Sequence, residues 1–122
     1  LSTSADWDFF LRITTKFEVG FEPAILLQYR YHGSNMHGNL SIMEREMTVG
    51  YEKAFDTDDE SVLALRRRAM GNFHRVMAGS YFRAADYRDF LKHTVKSLWN
   101  RPSGIEYFLR FPIRKLKRSK SV

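Results

Sequence analysis

Asp86-Tyr87-Arg88-Asp89-Phe90-Leu91-Lys92-His93-Thr94-Val95-Lys96-Ser97-Leu98-Trp99 is the stretch that decides the fold class. Tyr87, Phe90, Leu91, Thr94, Leu98 and Trp99 recur at i, i+3, i+4, i+7, i+11 and i+12, the spacing of one face of an α-helix. Asp86 stands at the N-cap position, where a carboxylate accepts from the first free backbone N–H groups. Asn100 to Gly104, with its Pro and Gly, ends the period.

The helical reading extends outward in both directions. Upstream, Val62, Leu65, Ala69, Phe73, Val76 and Met77 mark the apolar side of a long helix that follows the polar break Asp56 to Asp59. Ser41 and Glu44 have the spacing of a capping box, which predicts a further helix from Ser41 with Met43, Met47, Tyr51 and Ala54 on one face. Downstream, a basic and aromatic helix runs from about Ile105, with Pro112 bending it or starting a new turn. Tyr81 to Trp99 is similar to one tetratricopeptide-like hairpin with Ala85-Asp86-Tyr87 at its turn. An array needs about three such repeats, and one copy reads as a general helical hairpin. Methionines and aromatics at helical spacing are core positions. His74 and His93 are expected at the surface or half-buried, and Arg66-Arg67-Arg68 fans around a solvated turn.

The first 38 residues read differently. Ser4 to Thr15 is a helix that Ser2, Thr3 or Ser4 can cap, with Asp8, Arg12 and Thr15 on one polar stripe. Trp7, Phe9, Phe10, Leu11, Ile13 and Thr14 cover most of the rest, an arc wide enough to expect cover on two sides. Asp6 falls inside that arc, flanked by Phe10 and Ile13. Phe17 to Phe21 and Ile25 to Tyr31 read as short strands around Glu22-Pro23, and His32 to Asn39 as a loop. The expected fold is therefore mainly α with a small β element (α+β). Residues 1–38 form one part and residues 39–122 a helical bundle extension with a basic tail.

Composition bounds the function. The chain has 122 residues, 43% of them hydrophobic and 15% aromatic, enough for a packed core. With no cysteine, disulfides and thiolate metal sites are excluded. No apolar stretch approaches bilayer-spanning length. The net charge is +6, and Arg110, Arg114, Lys115, Lys117, Arg118 and Lys120 cluster late with no acid among them. Interleaved with Phe108, Leu109, Phe111, Ile113 and Leu116, these cations suit an anionic membrane interface or a terminal helix with solvated charges. The start at Leu1 rather than Met leads us to expect processing or a piece of a longer protein.

The order of signals in the first 37 residues carries a resemblance. Ala5-Asp6-Trp7-Asp8-Phe9-Phe10-Leu11-Arg12 is followed by Phe21-Glu22-Pro23-Ala24-Ile25-Leu26 and then Tyr29-Arg30-Tyr31-His32-Gly33-Ser34-Asn35-Met36. This resembles the end of the catalytic domain in inverting family 2 glycosyltransferases of the GT-A fold. Such domains read Glu-Asp-Trp-Asp, a Leu-Trp-Leu-Arg-like run, a Pro-Glu-Pro-Leu-like turn and Tyr-Arg-x-His. The resemblance covers the first third of the chain and makes residues 1–38 the C-terminal remnant of a GT-A α/β domain.

It implies transfer of a sugar from a nucleotide-sugar donor to a glycan acceptor hydroxyl, as in envelope polysaccharide synthesis, with inversion. Asp6 is then the general base, Trp7 and Arg30 contact substrate, with Arg30 beside the phosphates, and His32 is the candidate ligand of a divalent cation, Mg or Mn. A cytoplasmic enzyme, peripheral on the membrane face through its tail, follows from the same reading. Ala5 departs from the family's Glu. The Asp-x-Asp metal motif belongs upstream, so the isolated chain is expected to be inactive. Without the resemblance, Asp6 reads as an acid favouring the helix dipole, and His32 and His37 as loop histidines without a third ligand. Two rival functions stand beside it. One is a non-catalytic helical module that binds a partner or forms a homo-oligomer. The other is a basic nucleic-acid binder, disfavoured because no helix-turn-helix, zinc-finger or RNA-binding motif is present.

Overall fold

The computed structural model describes residues 5–28 and 39–110. Their elements are α1 (Ala5–Thr14), α2 (Leu40–Ala54), α3 (Glu60–Ala64), α4 (Arg66–Arg83), α5 (Tyr87–Asn100), a one-turn 3-10 helix (Pro102–Gly104) and α6 (Ile105–Leu109). The mainly helical expectation holds. The expected strand at Phe17 to Phe21 does not form, and no strand occurs among the described residues. Extended backbone becomes a strand only when a neighbour takes its N–H and C=O groups. No such neighbour is present among the described residues, and Phe21 and Ile25 stand 90% and 93% exposed.

The chain divides into two compact units, Leu1–Asp56 and Thr57–Val122. In the first, α1 meets α2 through Trp7. The Trp7 ring lies 4.6 Å from that of Tyr51, and Tyr51 stacks on Phe55 at 6.3 Å. Burial raises the Tyr51 phenol above its ordinary range. Met43, Met47, Tyr51 and Ala54 are half-buried, as their shared face predicts. The cap of α2 is Asn39 rather than the expected Ser41. Asn39 Oδ1 accepts from the Ile42 N–H (3.2 Å) and from the Ser41 hydroxyl (2.9 Å). Asn caps as well as Ser, and its place before Leu40 moves the helix start upstream of the capping-box spacing.

Gly50 is what lets the indole sit flat on α2. A Cβ there would stand 2.9 Å from Trp7 Cε3. Alanine gains roughly 1 kcal/mol of helix propensity over glycine, but overpacking against a rigid ring costs about 1–3 kcal/mol. Gly50→Ala is therefore expected to lower the unfolding midpoint of the chain, read by far-UV circular dichroism. A raised midpoint would contradict this packing.

In the second unit Asp59 caps α3, its Oδ1 accepting from the Ser61 N–H (2.9 Å) and hydroxyl (2.7 Å). Those bonds hold its carboxyl below the ordinary range. The single long helix read from the sequence is divided at Leu65 into α3 and α4. Asp86 caps α5 as expected, accepting from the Asp89 N–H (3.2 Å). Between α4 and α5, Asp86 N–H donates to Tyr81 C=O (3.0 Å) and Ala85 N–H to Phe82 C=O (3.2 Å). This is the Schellman pattern, with Ala85 at φ 61° where glycine is usual.

The hairpin core consists of Phe73, Met77, Ala78 and Tyr81 from α4, with buried His74, His93 and Ser97. The expectation of surface or half-buried positions for the two histidines is thus overturned, with His74 8% and His93 0% exposed. Their Nδ1 atoms stand 3.0 Å apart, so one imidazole donates while the other accepts, and a paired polar group can be buried. Ser97 is satisfied by donating to the Gly71 carbonyl (2.9 Å). The helical wheel of α5 is accordingly rotated. Its inner seam runs through Phe90, His93, Thr94, Ser97 and Leu98, while Tyr87, Leu91 and Trp99 face outward, Trp99 at 80% exposure. Of the expected apolar side of the preceding helix, Leu65, at the α3–α4 division, and Val76, on α4, are likewise exposed.

Candidate functional site

Asp6 and Asp8 lie two residues apart on α1, so about 200° of helical rotation separates them. Asp8 is buried and Asp6 exposed. Asp8 accepts from Arg12 Nε (2.9 Å) and from Arg12 Nη2, and Lys53 Nζ of α2 approaches its other oxygen at 3.8 Å. The i,i+4 pairing of the polar stripe is as expected. The stripe lines an open depression of about 430 Å³ bounded by Ala5, Asp8, Phe9, Arg12 and Lys53. Of the apolar arc, Trp7 is covered by α2, while Phe9 and Phe10 are exposed.

The Arg12 hydrogen bond, helped by the charges of Arg12 and Lys53, lowers the Asp8 carboxyl below its ordinary value of 3.8. A depressed folded value means that the carboxylate stabilises the fold above pH 3.8. That contribution is lost as pH falls from 3.8 through the lowered value. Asp8→Asn is therefore expected to reduce stability at pH 7, with the gap from the wild type closing below pH 3.8. Urea unfolding at the two pH values measures it. A gap independent of pH would remove the charge from the account.

Asp6 sits in the first turn of α1, where its Oδ1 accepts from the Trp7 N–H at 2.8 Å. Trp7 turns its ring onto α2. Arg30 and His32, the other candidates, lie outside the described residues, as do His37 and the tail beyond Arg110. Among the described residues, no group of three His, Asp or Glu side chains could hold a metal ion. No described helix is long and apolar enough to cross a membrane.

Two features of the second unit escape the sequence reading. The His74–His93 pair joins residues whose separation in sequence carries no motif. The cluster of Arg75, Arg101 and Arg110 draws one residue from a helix, one from a helix cap and one from the chain end of α6.

Against protein-family models, curated proteins and solved structures, the chain finds no match.

Proposed function

We propose that this chain is the C-terminal part of an inverting, GT-A-type family 2 glycosyltransferase, with Asp6 as its general base. The observation that carries the reading is the division of labour on α1. Asp8 is occupied by Arg12 and Lys53, whereas Asp6, at the position of the family's base, holds an exposed carboxylate. In transfer, Asp6 takes the acceptor hydroxyl's proton as the acceptor oxygen bonds to the anomeric carbon. The bond from that carbon to the diphosphate breaks, and the nucleoside diphosphate leaves with its electron pair.

The exposed apolar run supports the same reading. Phe9, Phe10, Phe17, Val19, Phe21, Ile25, Leu26 and Leu27 are all open to solvent. So large an apolar surface suits burial against further protein. In the intact enzyme, residues 17–28 would gain the strand neighbours of the GT-A sheet. The divalent cation is a different matter, because the described residues do not fit a site for it. The reading keeps Asp6 as the base, with Trp7 and Arg30 toward substrate and His32 as the candidate ligand, and no step here runs through the metal. The basic tail remains the contact with an anionic membrane at the cytoplasmic face.

The test is release of UDP or GDP by the full-length protein from a panel of nucleotide sugars with Mg or Mn. Turnover with one donor supports the reading, and none with any donor opposes it. A second reading, a helical interaction module, draws on Leu91, Val95 and Trp99, which form an exposed apolar row along α5. Concentration-dependent sedimentation of a full-length protein with no nucleotide affinity would favour that module.

A further inference from the structure

We propose that the pocket between α4 and the segment joining α5 to α6 is a binding site for a phosphate group. It lies within the second unit and rests on nothing assigned to Asp6. Its volume is about 240 Å³. At roughly 30 Å³ per water, that admits a phosphate with a small ester.

Its walls are positive. Arg75, Arg101 and Arg110 line it against one carboxylate, Glu106, so three cations less one anion leave a local charge of +2. The Glu106 carboxylate stands 4.0 Å from Arg110 and is itself highly exposed. Such a contact in water neutralises little. Arg101 is held by neutral oxygens, donating from Nη1 to Asn72 Oδ1 (2.8 Å) and from Nε to Ser103 Oγ (3.4 Å). Its remaining N–H groups and its whole charge stay available to an anion. The Arg75 guanidinium lies over the Tyr107 ring, 5.1 Å from its centroid, a cation–π contact that helps hold the side chain at the pocket.

The backbone keeps this geometry. The Ser97 hydroxyl bonds to the Gly71 carbonyl, drawing α5 against α4. A Cβ on Gly71 would stand 2.7 Å from Arg101 Cβ, so glycine is what brings the arginine this close. Planar guanidinium forks match phosphate oxygens with paired hydrogen bonds. Arginines ordered before the ligand arrives lose less freedom on binding. A carboxylate ligand would use the same donors, but its single charge leaves the pocket positive, whereas a phosphate monoester balances +2.

The test is calorimetric titration of the full chain with inorganic phosphate, glycerol 3-phosphate and acetate, beside co-sedimentation with phosphatidic acid and phosphatidylcholine vesicles. We expect both phosphates to bind more tightly than acetate. Arg101→Gln and Arg75→Gln should each weaken phosphate binding at least tenfold, and Arg68→Gln, on the exposed turn of α4, less than twofold. Far-UV circular dichroism of each variant checks folding, and Arg75→Gln retains the test if Arg101→Gln unfolds. Arg101-dependent retention on phosphatidic acid vesicles, stronger than binding of glycerol 3-phosphate, would support the site with a lipid headgroup as its source. Equal or weaker retention would support it with a soluble ester. Equal losses in all three variants, or no phosphate binding at millimolar concentration, would overturn the proposal.

Discussion

Met77→Ala is expected to lower the stability of the second unit by about 2–5 kcal/mol, the range for emptying a buried methionine position. Met77 is 1% exposed and lies between Phe73 and Tyr81 on the inner row of α4. Around it the hairpin core is small and partly polar, with His74 on the same helix and His93 and Ser97 on the facing one. A core of so few apolar side chains has little to move into the vacated volume, which places the loss toward the upper end. Met77→Leu, which keeps the volume, should cost under about 1.5 kcal/mol. Urea unfolding of the full chain separates the two. Equal, small losses would mean that α4 and α5 do not pack on this residue.

On the proposed function, Asp6→Asn in the full-length protein is expected to reduce kcat by about 10²–10⁴-fold, the scale of a lost general base. Asparagine keeps an oxygen for the Trp7 N–H from which Asp6 now accepts, so the first turn of α1 and the fold should be unchanged. What disappears is the capacity to take a proton. Asp8→Asn gives the opposite result. It removes the partner of Arg12 and Lys53 and so weakens the fold, while the chemistry retains its base. Two isosteric changes two residues apart thus separate a rate effect from a stability effect.

The helices were legible because capping and periodicity are local. Asp86 and Asp59 mark helix starts by hydrogen bonds spanning two or three residues, and such bonds are written in neighbouring sequence. Apart from the cap of α2, where Asn39 takes the place expected of Ser41, what failed was decided at longer range. The orientation of α5 depends on His93 meeting His74 and Ser97 meeting Gly71. Those polar pairings occupy the interior, while Leu91, Val95 and Trp99 are exposed. The strand expectation at Phe17 to Phe21 depended on a neighbour that the described chain does not provide. Of the candidate site, the Asp8–Arg12 pair could be read from its i,i+4 spacing. Which aspartate faces α2 could not, because that is set by Trp7 fitting onto Gly50. The arginine pocket was hidden for the same reason. Its residues are unremarkable in sequence and converge only when α5 folds back along α4.

The most direct test of the central claim is nucleoside diphosphate release by the full-length protein, measured for the wild type and Asp6→Asn with Mg or Mn, with nucleotide binding followed in parallel. The account predicts turnover with at least one nucleotide sugar, collapsing in Asp6→Asn while nucleotide binding persists. Turnover equal in the two proteins would contradict it.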